Sequence, residues 1–146
     1  MANLTVRDLM TQQVYSASLS DNLATVSDLM DSLNVHQLPI VDRSGDFIGL
    51  IHSRDLQTDS EAYQLLPLSE ARQWLESRSV GEILTEDPPT IEPSETIDEA
   101  GRVMLENKLG CLPVIEGERL VGILTEADFV RFIVEHPTEG SPSRAA

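Results

Sequence analysis

The chain has 146 residues, and its 25 acidic against 10 basic side chains give a formal net charge of -15. A negative charge of this size repels nucleic acid and anionic membrane surfaces, so we expect neither as a partner. Aromatic residues make up 4% of the chain and there is a single cysteine, which disfavours base stacking on aromatic rings and excludes an internal disulfide.

The length suits one compact domain or two half-domains that share a core, because a chain of this size buries roughly two-thirds of its unfolded surface on folding. The sequence contains no secretion signal and no apolar run of membrane-spanning length. We therefore expect a soluble, cytoplasmic protein.

The first predicted helix follows Ser20, and Ser20 with Asp21 is expected to cap its start. Its apolar residues recur at helical spacing, at Leu23, Val26, Leu29, Met30 and Leu33. Two short apolar segments at 38–41 and 47–51, separated by a polar turn, predict a pair of strands. A closing helix is expected from about Ser53.

The middle of the chain is too apolar for a loose linker, since it contains Trp74 and Leu75 and a predicted helix over 71–77. It is expected to pack on the flanking segments. The same series of helix, two strands and closing helix then returns.

Residues 79–129 repeat residues 5–56 in altered form. The offset is constant at 74 residues, so that Val6 aligns with Val80 and Ser20 with Ser94, until one residue is lost in the turn between the paired strands. The repeat predicts a first copy at 1–60, a helical insert at 61–78, a second copy at 79–136 and a flexible tail at 137–146.

The motifs of both copies resemble the CBS domain, named after cystathionine beta-synthase. The second copy reads LPVI at 112–115 and GILTEADF at 122–129, and the first reads LPIVD at 38–42 and GLI at 49–51 followed by Asp55 and Leu56. The resemblance implies an α+β fold in which two β-α-β-β-α repeats pack about a pseudo-twofold axis, a tandem pair called a Bateman module. Such pairs assemble into homodimers, for which the apolar helix at 129–134 and the insert around Trp74 offer surface.

The resemblance also implies a stand-alone regulatory module without catalysis. Its ligands would be adenosine compounds, namely AMP, ADP, ATP or S-adenosylmethionine, bound in clefts between the repeats. No cofactor is required, although a nucleotide could bring Mg²⁺ with it. The output would pass to an unidentified regulated protein.

In the family, a hydroxyl-x-x-Asp motif after the third strand holds the ribose hydroxyls, and Thr125 with Asp128 matches it. An ionised carboxylate suits a vicinal diol because it accepts several hydrogen bonds. The resemblance implies that this cleft also includes Thr11, Ala17, Gln37, Leu38 and Pro39. The second cleft would join Asp55 to Thr85, Ile91, Cys111, Leu112 and Pro113.

The first copy departs from the motif, because His52 stands at the hydroxyl position. His52 is not expected to cap a helix as a hydroxyl would, so the presence of Asp55 favours ligand contact over a purely structural role. His52 could donate to a phosphate or sugar oxygen with a charge that depends on pH. Arg54 and His36 are the other cations expected to face phosphates.

Two other interpretations stay open. Thr125 and Asp128 also form a helix capping box, which needs no ligand. The altered first copy, the strongly acidic surface and the insert support the alternative function, a protein-interaction module with vestigial clefts. An enzyme is disfavoured because the sequence shows no nucleophile with a base, no metal cluster and no phosphate-binding glycine loop.

Overall fold

The computed structural model describes residues 4–56 and 67–137. The first copy contributes helix α1, strand β1, helix α2, strands β2 and β3 and a 3-10 turn, at Val6–Leu9, Ala17–Ser18, Leu23–Leu33, Gln37–Val41, Phe47–His52 and Ser53–Leu56. Helix α3 of the insert spans Leu68–Glu76. The second copy contributes a 3-10 turn, strand β4, helix α4, strands β5 and β6 and helix α5, at Val80–Glu82, Thr85–Glu86, Ile97–Asn107, Cys111–Glu116, Arg119–Thr125 and Glu126–Glu135.

The α+β fold is confirmed, and so are the helix and the strand pair predicted in each copy. The chain divides into two compact units that do not follow the order of the repeats. Unit 1 consists of Met1–Val14, Pro89–Glu116 and Val121–Ala146, and unit 2 of Tyr15–Pro88 and Gly117–Leu120. Each unit therefore combines most of one copy with the first segment of the other.

Unit 2 is built on a four-stranded sheet in the order β1-β2-β3-β4. Strand β1 is parallel to β2, and the other neighbours are antiparallel. The fourth strand belongs to the second copy and pairs Thr85 with Leu50 of the first. Val80, which precedes it, is fully buried in a core that contains Leu38, Ile40 and Ile51.

Unit 1 repeats this arrangement with the copies interchanged. Thr11 of the first copy pairs with Ile123 of the second, and Ile91 pairs in parallel with Val114. Helix α1 packs against α4 and α5, and its Val6 is fully buried in the second core. The two copies have thus exchanged their first segments reciprocally.

Two glycines make the exchange possible. A Cβ atom on Gly49 would lie 2.5 Å from the carbonyl oxygen of Thr85, and one on Gly122 would lie 2.6 Å from Sδ of Met10 and 3.1 Å from the carbonyl oxygen of Thr11. Both positions therefore need glycine because another strand or side chain approaches the backbone closely.

The helix starts differ from the prediction. Asn22 caps α2, because its side-chain oxygen accepts a hydrogen bond from the backbone N–H of Thr25 at 2.9 Å. Thr96 caps α4 in the same way. The prediction that Ser20 and Asp21 cap α2 is wrong, since the cap is the residue directly before the first apolar position.

Helix α3 confirms the helix predicted in the insert. It packs on α2, where Arg72 donates to both carboxylate oxygens of Asp28 at 3.1 and 2.9 Å. Leu75 and Trp74 join the core of unit 2. Trp74 is half-buried there, and its predicted part in a dimer surface stays a prediction.

Three predictions concern residues outside the described ranges. Beyond the 3-10 turn at Ser53–Leu56, the closing helix of the first copy falls on undescribed residues. So do the first residues of the insert, at 61–66, and the tail beyond Pro137.

Candidate functional site

The Thr125 junction, residues 125–128, lies where β6 gives way to α5. Asp128 is 2% exposed, and among the described residues it is the one buried charged side chain. Its Oδ2 accepts from the backbone N–H of Thr125 at 2.9 Å and from the Thr125 hydroxyl at 3.1 Å. The predicted capping box is therefore present, because the N–H of Asp128 also donates to Oγ1 of Thr125 at 3.3 Å.

The second oxygen of the same carboxylate is held by two residues from other parts of unit 1. The Thr11 hydroxyl donates to Oδ1 of Asp128 at 3.0 Å, and the Arg131 guanidinium donates to it at 2.8 Å. Thr11 is fixed in place by two backbone hydrogen bonds with Ile123, at 2.9 and 3.0 Å. The structure thus brings together three predicted site residues, Thr11, Thr125 and Asp128.

Arg131 was not among the predicted residues. It lies one helical turn after Asp128, and an arginine three residues beyond an aspartate on a helix is a signal that the sequence does contain. Its guanidinium ties the exposed face of α5 to the buried carboxylate.

The His52 junction, residues 52–55, is the counterpart in unit 2. The backbone N–H of His52 donates to Oδ2 of Asp55 at 2.9 Å, and the N–H of Arg54 donates to Nδ1 of His52 at 3.1 Å. The expectation that His52 cannot cap is therefore wrong, since its ring nitrogen accepts as a hydroxyl oxygen would. The capping interpretation of the motif applies to both copies.

The charge of His52 is governed by its surroundings. Burial lowers the pKa of the imidazole, the charges of Arg54 and His36 lower it further, and Asp55 opposes them. The neutral ring is also the form that can accept at Nδ1. The structure therefore favours an uncharged His52 as a cap over a cationic one that faces phosphates.

The other predicted cations lie beside this junction. The carbonyl oxygen of His36 accepts from the N–H of Ser53 at 2.7 Å, which places the start of β2 next to the end of β3. The side chains of His36 and Arg54 are exposed. They are the groups of this junction that remain able to meet an anion.

The predicted base-clasping residues lie along the strands of both units. In unit 2, Gln37 pairs with His52, and the buried Leu38 and Pro39 pair with the two residues before it. Ala17 is buried on β1, and Thr85 is exposed on β4.

In unit 1, the N–H of Ile91 donates to the carbonyl of Pro113 at 3.0 Å, beside the buried Cys111 and Leu112. Burial raises the pKa of the Cys111 thiol to about 12, so it is a thiol at neutral pH and not a reactive thiolate. The proposed combination of these residues into two clefts draws on both units and stays a prediction.

Comparison with known proteins agrees with the repeat. The family model of the CBS domain matches residues 6–58 and 80–135. The chain belongs to the CBS domain family. As a tandem pair it is 29% identical over 132 residues to a CBS domain-containing protein of Dictyostelium discoideum, which covers 89% of this chain and 91% of that protein.

Solved structures of CBS pairs share the fold. CBSX2 from Arabidopsis thaliana, in complex with AMP, has a TM-score of 0.75 at 27% identity and covers 90% of this chain and 97% of that chain. Hypoxic Response Protein I of Mycobacterium tuberculosis, with two coordinated zinc ions, has a TM-score of 0.71 at 28% identity and covers 87% of this chain and 97% of that chain.

Within residues 4–56 and 67–137, no group of three His, Cys, Asp or Glu side chains is placed to hold a metal ion. Over the same residues, every helix is too short or too polar to cross a bilayer.

Proposed function

We propose that the protein is a non-catalytic regulatory module that binds an adenosine compound, with the ribose hydroxyls held at Asp128. The observation that carries the proposal is a buried carboxylate with two hydroxyl side chains, Thr11 and Thr125, at the end of a strand. A CBS pair of the same fold binds AMP, which supports the ligand class.

The His52 junction would be the second ligand site, and His36 and Arg54 would face the anionic part of the ligand. With one exposed arginine, Arg54, and a neutral His52, this junction suits a ligand of low negative charge. We therefore favour AMP or S-adenosylmethionine over ATP, with Mg²⁺ needed only where a polyphosphate brings it. Binding would shift the population of states that an unidentified partner recognises.

A melting-temperature screen with AMP, ADP, ATP, S-adenosylmethionine, NAD and cyclic di-AMP tests the proposal. A ligand at about 100 times its dissociation constant adds about 2.7 kcal/mol, or about 5–12 °C for a chain of this length. The screen is repeated with Asp128→Asn. The amide has one acceptor oxygen and no charge, so the part of the shift that comes from the Thr125 junction should be lost, and the shift should be smaller than in the wild type.

Asp8→Asn is the matched control. Thr5 and Asp8 form a capping box with the same geometry, in which the N–H of Thr5 donates to Oδ2 of Asp8 at 2.8 Å. Asp8 is exposed and its capping box includes neither Thr11 nor Thr125, so its variant should keep the full ligand shift. Equal shifts in the wild type and Asp128→Asn would refute the ribose assignment.

A second candidate, the protein-interaction module, is favoured by the surface of unit 1. Helices α4 and α5 enclose a groove of about 420 Å³, lined mainly by Ile97, Phe129, Phe132 and Ile133. Beside it, Ile133 and Val134 are 64% and 70% exposed. If no compound in the screen shifts the wild-type melting temperature, this candidate replaces the ligand sensor.

We propose that a second copy of this chain covers the groove, as a homodimer. The groove and the exposed apolar side chains lie on one face, so the face can complement itself about a twofold axis. Helix α2, the counterpart of α4, is already covered by α3 in unit 2.

Sedimentation velocity of Ile133→Glu tests the dimer, with Val35→Glu as the control on an exposed apolar residue of unit 2. Only Ile133→Glu should produce monomers. A wild-type monomer would refute the dimer.

A further inference from the structure

Asp128 has no unused acceptor position. A carboxylate offers about four lone-pair sites, and here the N–H and hydroxyl of Thr125 occupy Oδ2 while the Thr11 hydroxyl and the Arg131 guanidinium occupy Oδ1. A vicinal diol brings two donors of its own. A ligand that binds through its ribose must therefore displace donors that are already in place.

The two donors on Oδ2 are difficult to displace. Both belong to Thr125, and they also hold the first turn of α5 through its capping box. Losing that cap would uncover backbone groups at the helix start. The diol is therefore directed to Oδ1.

The two donors on Oδ1 can leave more easily. The Arg131 side chain is 55% exposed although its partner is 1% exposed, so the guanidinium can return to water while its aliphatic stem stays on the helix. The Thr11 hydroxyl can rotate to another staggered position without moving its backbone. It then becomes free to contact the ligand itself.

We infer that Arg131 sets the ligand affinity of the Thr125 junction by competing with the ribose for Asp128, not by contacting the ligand. This inference rests on the proposed function. It predicts an effect of opposite sign to that of an ordinary cation in an anion site, because removal of Arg131 strengthens binding. The aligned position of the first copy is Thr58, which has no charge to compete in this way.

The test compares Arg131→Gln with wild type by isothermal titration with adenosine and with AMP. Adenosine has no phosphate, so it reports on the ribose contact alone. We expect its dissociation constant to fall about two- to fivefold in Arg131→Gln, the range that an exposed ion pair can contribute. Binding that survives Asp128→Asn belongs to the other junction and is subtracted.

Arg102→Gln is the matched control. Arg102 donates to Glu99 three residues earlier at 2.8 Å, as Arg131 does to Asp128, and it lies on α4 of the same unit. Its variant should bind adenosine like the wild type. If the dissociation constant for adenosine falls in both variants, the tighter binding comes from a general change in charge and not from the contact with Asp128, and the inference is overturned.

The salt dependence of adenosine binding is a second measurement, and an arginine with a purely structural role would not affect it. Screening weakens the Arg131–Asp128 pair, so adenosine should bind the wild type more tightly as salt rises, while Arg131→Gln should be insensitive. If Arg131 instead contacts a phosphate, AMP binds more weakly to the variant and salt weakens wild-type AMP binding.

The outcomes separate the inference from the proposed function. Adenosine that binds wild type and Arg131→Gln equally, or binds the variant more weakly, overturns the inference and leaves the proposed function standing. If neither compound binds either protein, the proposed function fails and the competition fails with it. A ligand-free double-mutant cycle of Arg131→Gln with Asp128→Asn must also show non-additive stability, and additivity overturns the inference whatever the titrations show.

Discussion

Replacing Gly49 with alanine places a methyl group where strand β3 lies against the exchanged strand β4 in unit 2. The new Cβ would lie 2.5 Å from the carbonyl oxygen of Thr85 and 2.8 Å from Cδ1 of Leu84. The oxygen belongs to the backbone of β4, so it cannot move without disturbing the pairing of β4 with β3. Overpacking costs about 1–3 kcal/mol, and we expect about 3 kcal/mol here because backbone must shift.

Gly122→Ala makes the equivalent change in unit 1 with a softer neighbour. Its Cβ would lie 2.6 Å from Sδ of Met10, a side chain that can take another rotamer, while the carbonyl oxygen of Thr11 is 3.1 Å away. We expect a smaller loss, about 1 kcal/mol. The loss should shrink further in a Met10→Ala background, which a double-mutant cycle measures.

Urea unfolding followed by circular dichroism measures these differences, with Gly110→Ala as the control. No atom lies within 4 Å of a Cβ built on Gly110. That variant should be unchanged or more stable by about 0.4–1 kcal/mol. The reasoning is refuted if Gly49→Ala costs no more than Gly110→Ala, or if Gly122→Ala costs more than Gly49→Ala.

Three further predictions follow from single residues. Lys108 ends α4 with a φ of 54°, a left-handed conformation that glycine adopts without strain, so Lys108→Gly should raise the free energy of unfolding by about 0.5–1 kcal/mol in urea. The folded-state pKa of His52 is lowered, so the unfolded chain binds more protons and the stabilising contribution of His52 is complete above its unfolded pKa of about 6.5. It is lost as pH falls through the folded pKa, and the stability of the wild type relative to His52→Thr should therefore decline from about pH 8 to about pH 5. The Cys111 thiol, with its pKa raised to about 12, should react with a thiol reagent only when denaturant is present.

Each of these has a clear contrary result. Lys108→Ala controls for the loss of charge, and an equal gain in both variants would contradict the backbone argument. A stability difference that does not vary with pH would show that the pKa of His52 is not lowered in the folded protein. Rapid labelling of Cys111 in native conditions would show that β5 opens readily.

The repeat allowed much of the fold to be predicted, because a helical spacing followed by two short apolar segments is unlikely to occur twice at one offset by chance. Strands β2 and β3, and their counterparts β5 and β6, began and ended within about a residue of the predictions. The caps of α2 and α4 were less certain, since several adjacent residues could serve. Asn22 and Thr96 are the N-caps, because they directly precede the first buried apolar position of each helix.

The exchange of first segments could not be read from the sequence. Val6 and Val80 are equally apolar, and neither pattern nor spacing tells which core each will join. The chemistry of His52 was missed for a related reason. A ring nitrogen can accept a hydrogen bond as a hydroxyl does, but only the geometry shows that it faces the N–H of Arg54.

The exchange of first segments has a consequence for how the chain could be divided into fragments. A cut between the copies would leave one fragment with Val6 but no second core to receive it, and the other with Val80 but no first core. Neither product could complete its own hydrophobic interior. Both fragments would have to be mixed to restore the two cores, so the two copies must fold together despite the internal symmetry of the chain.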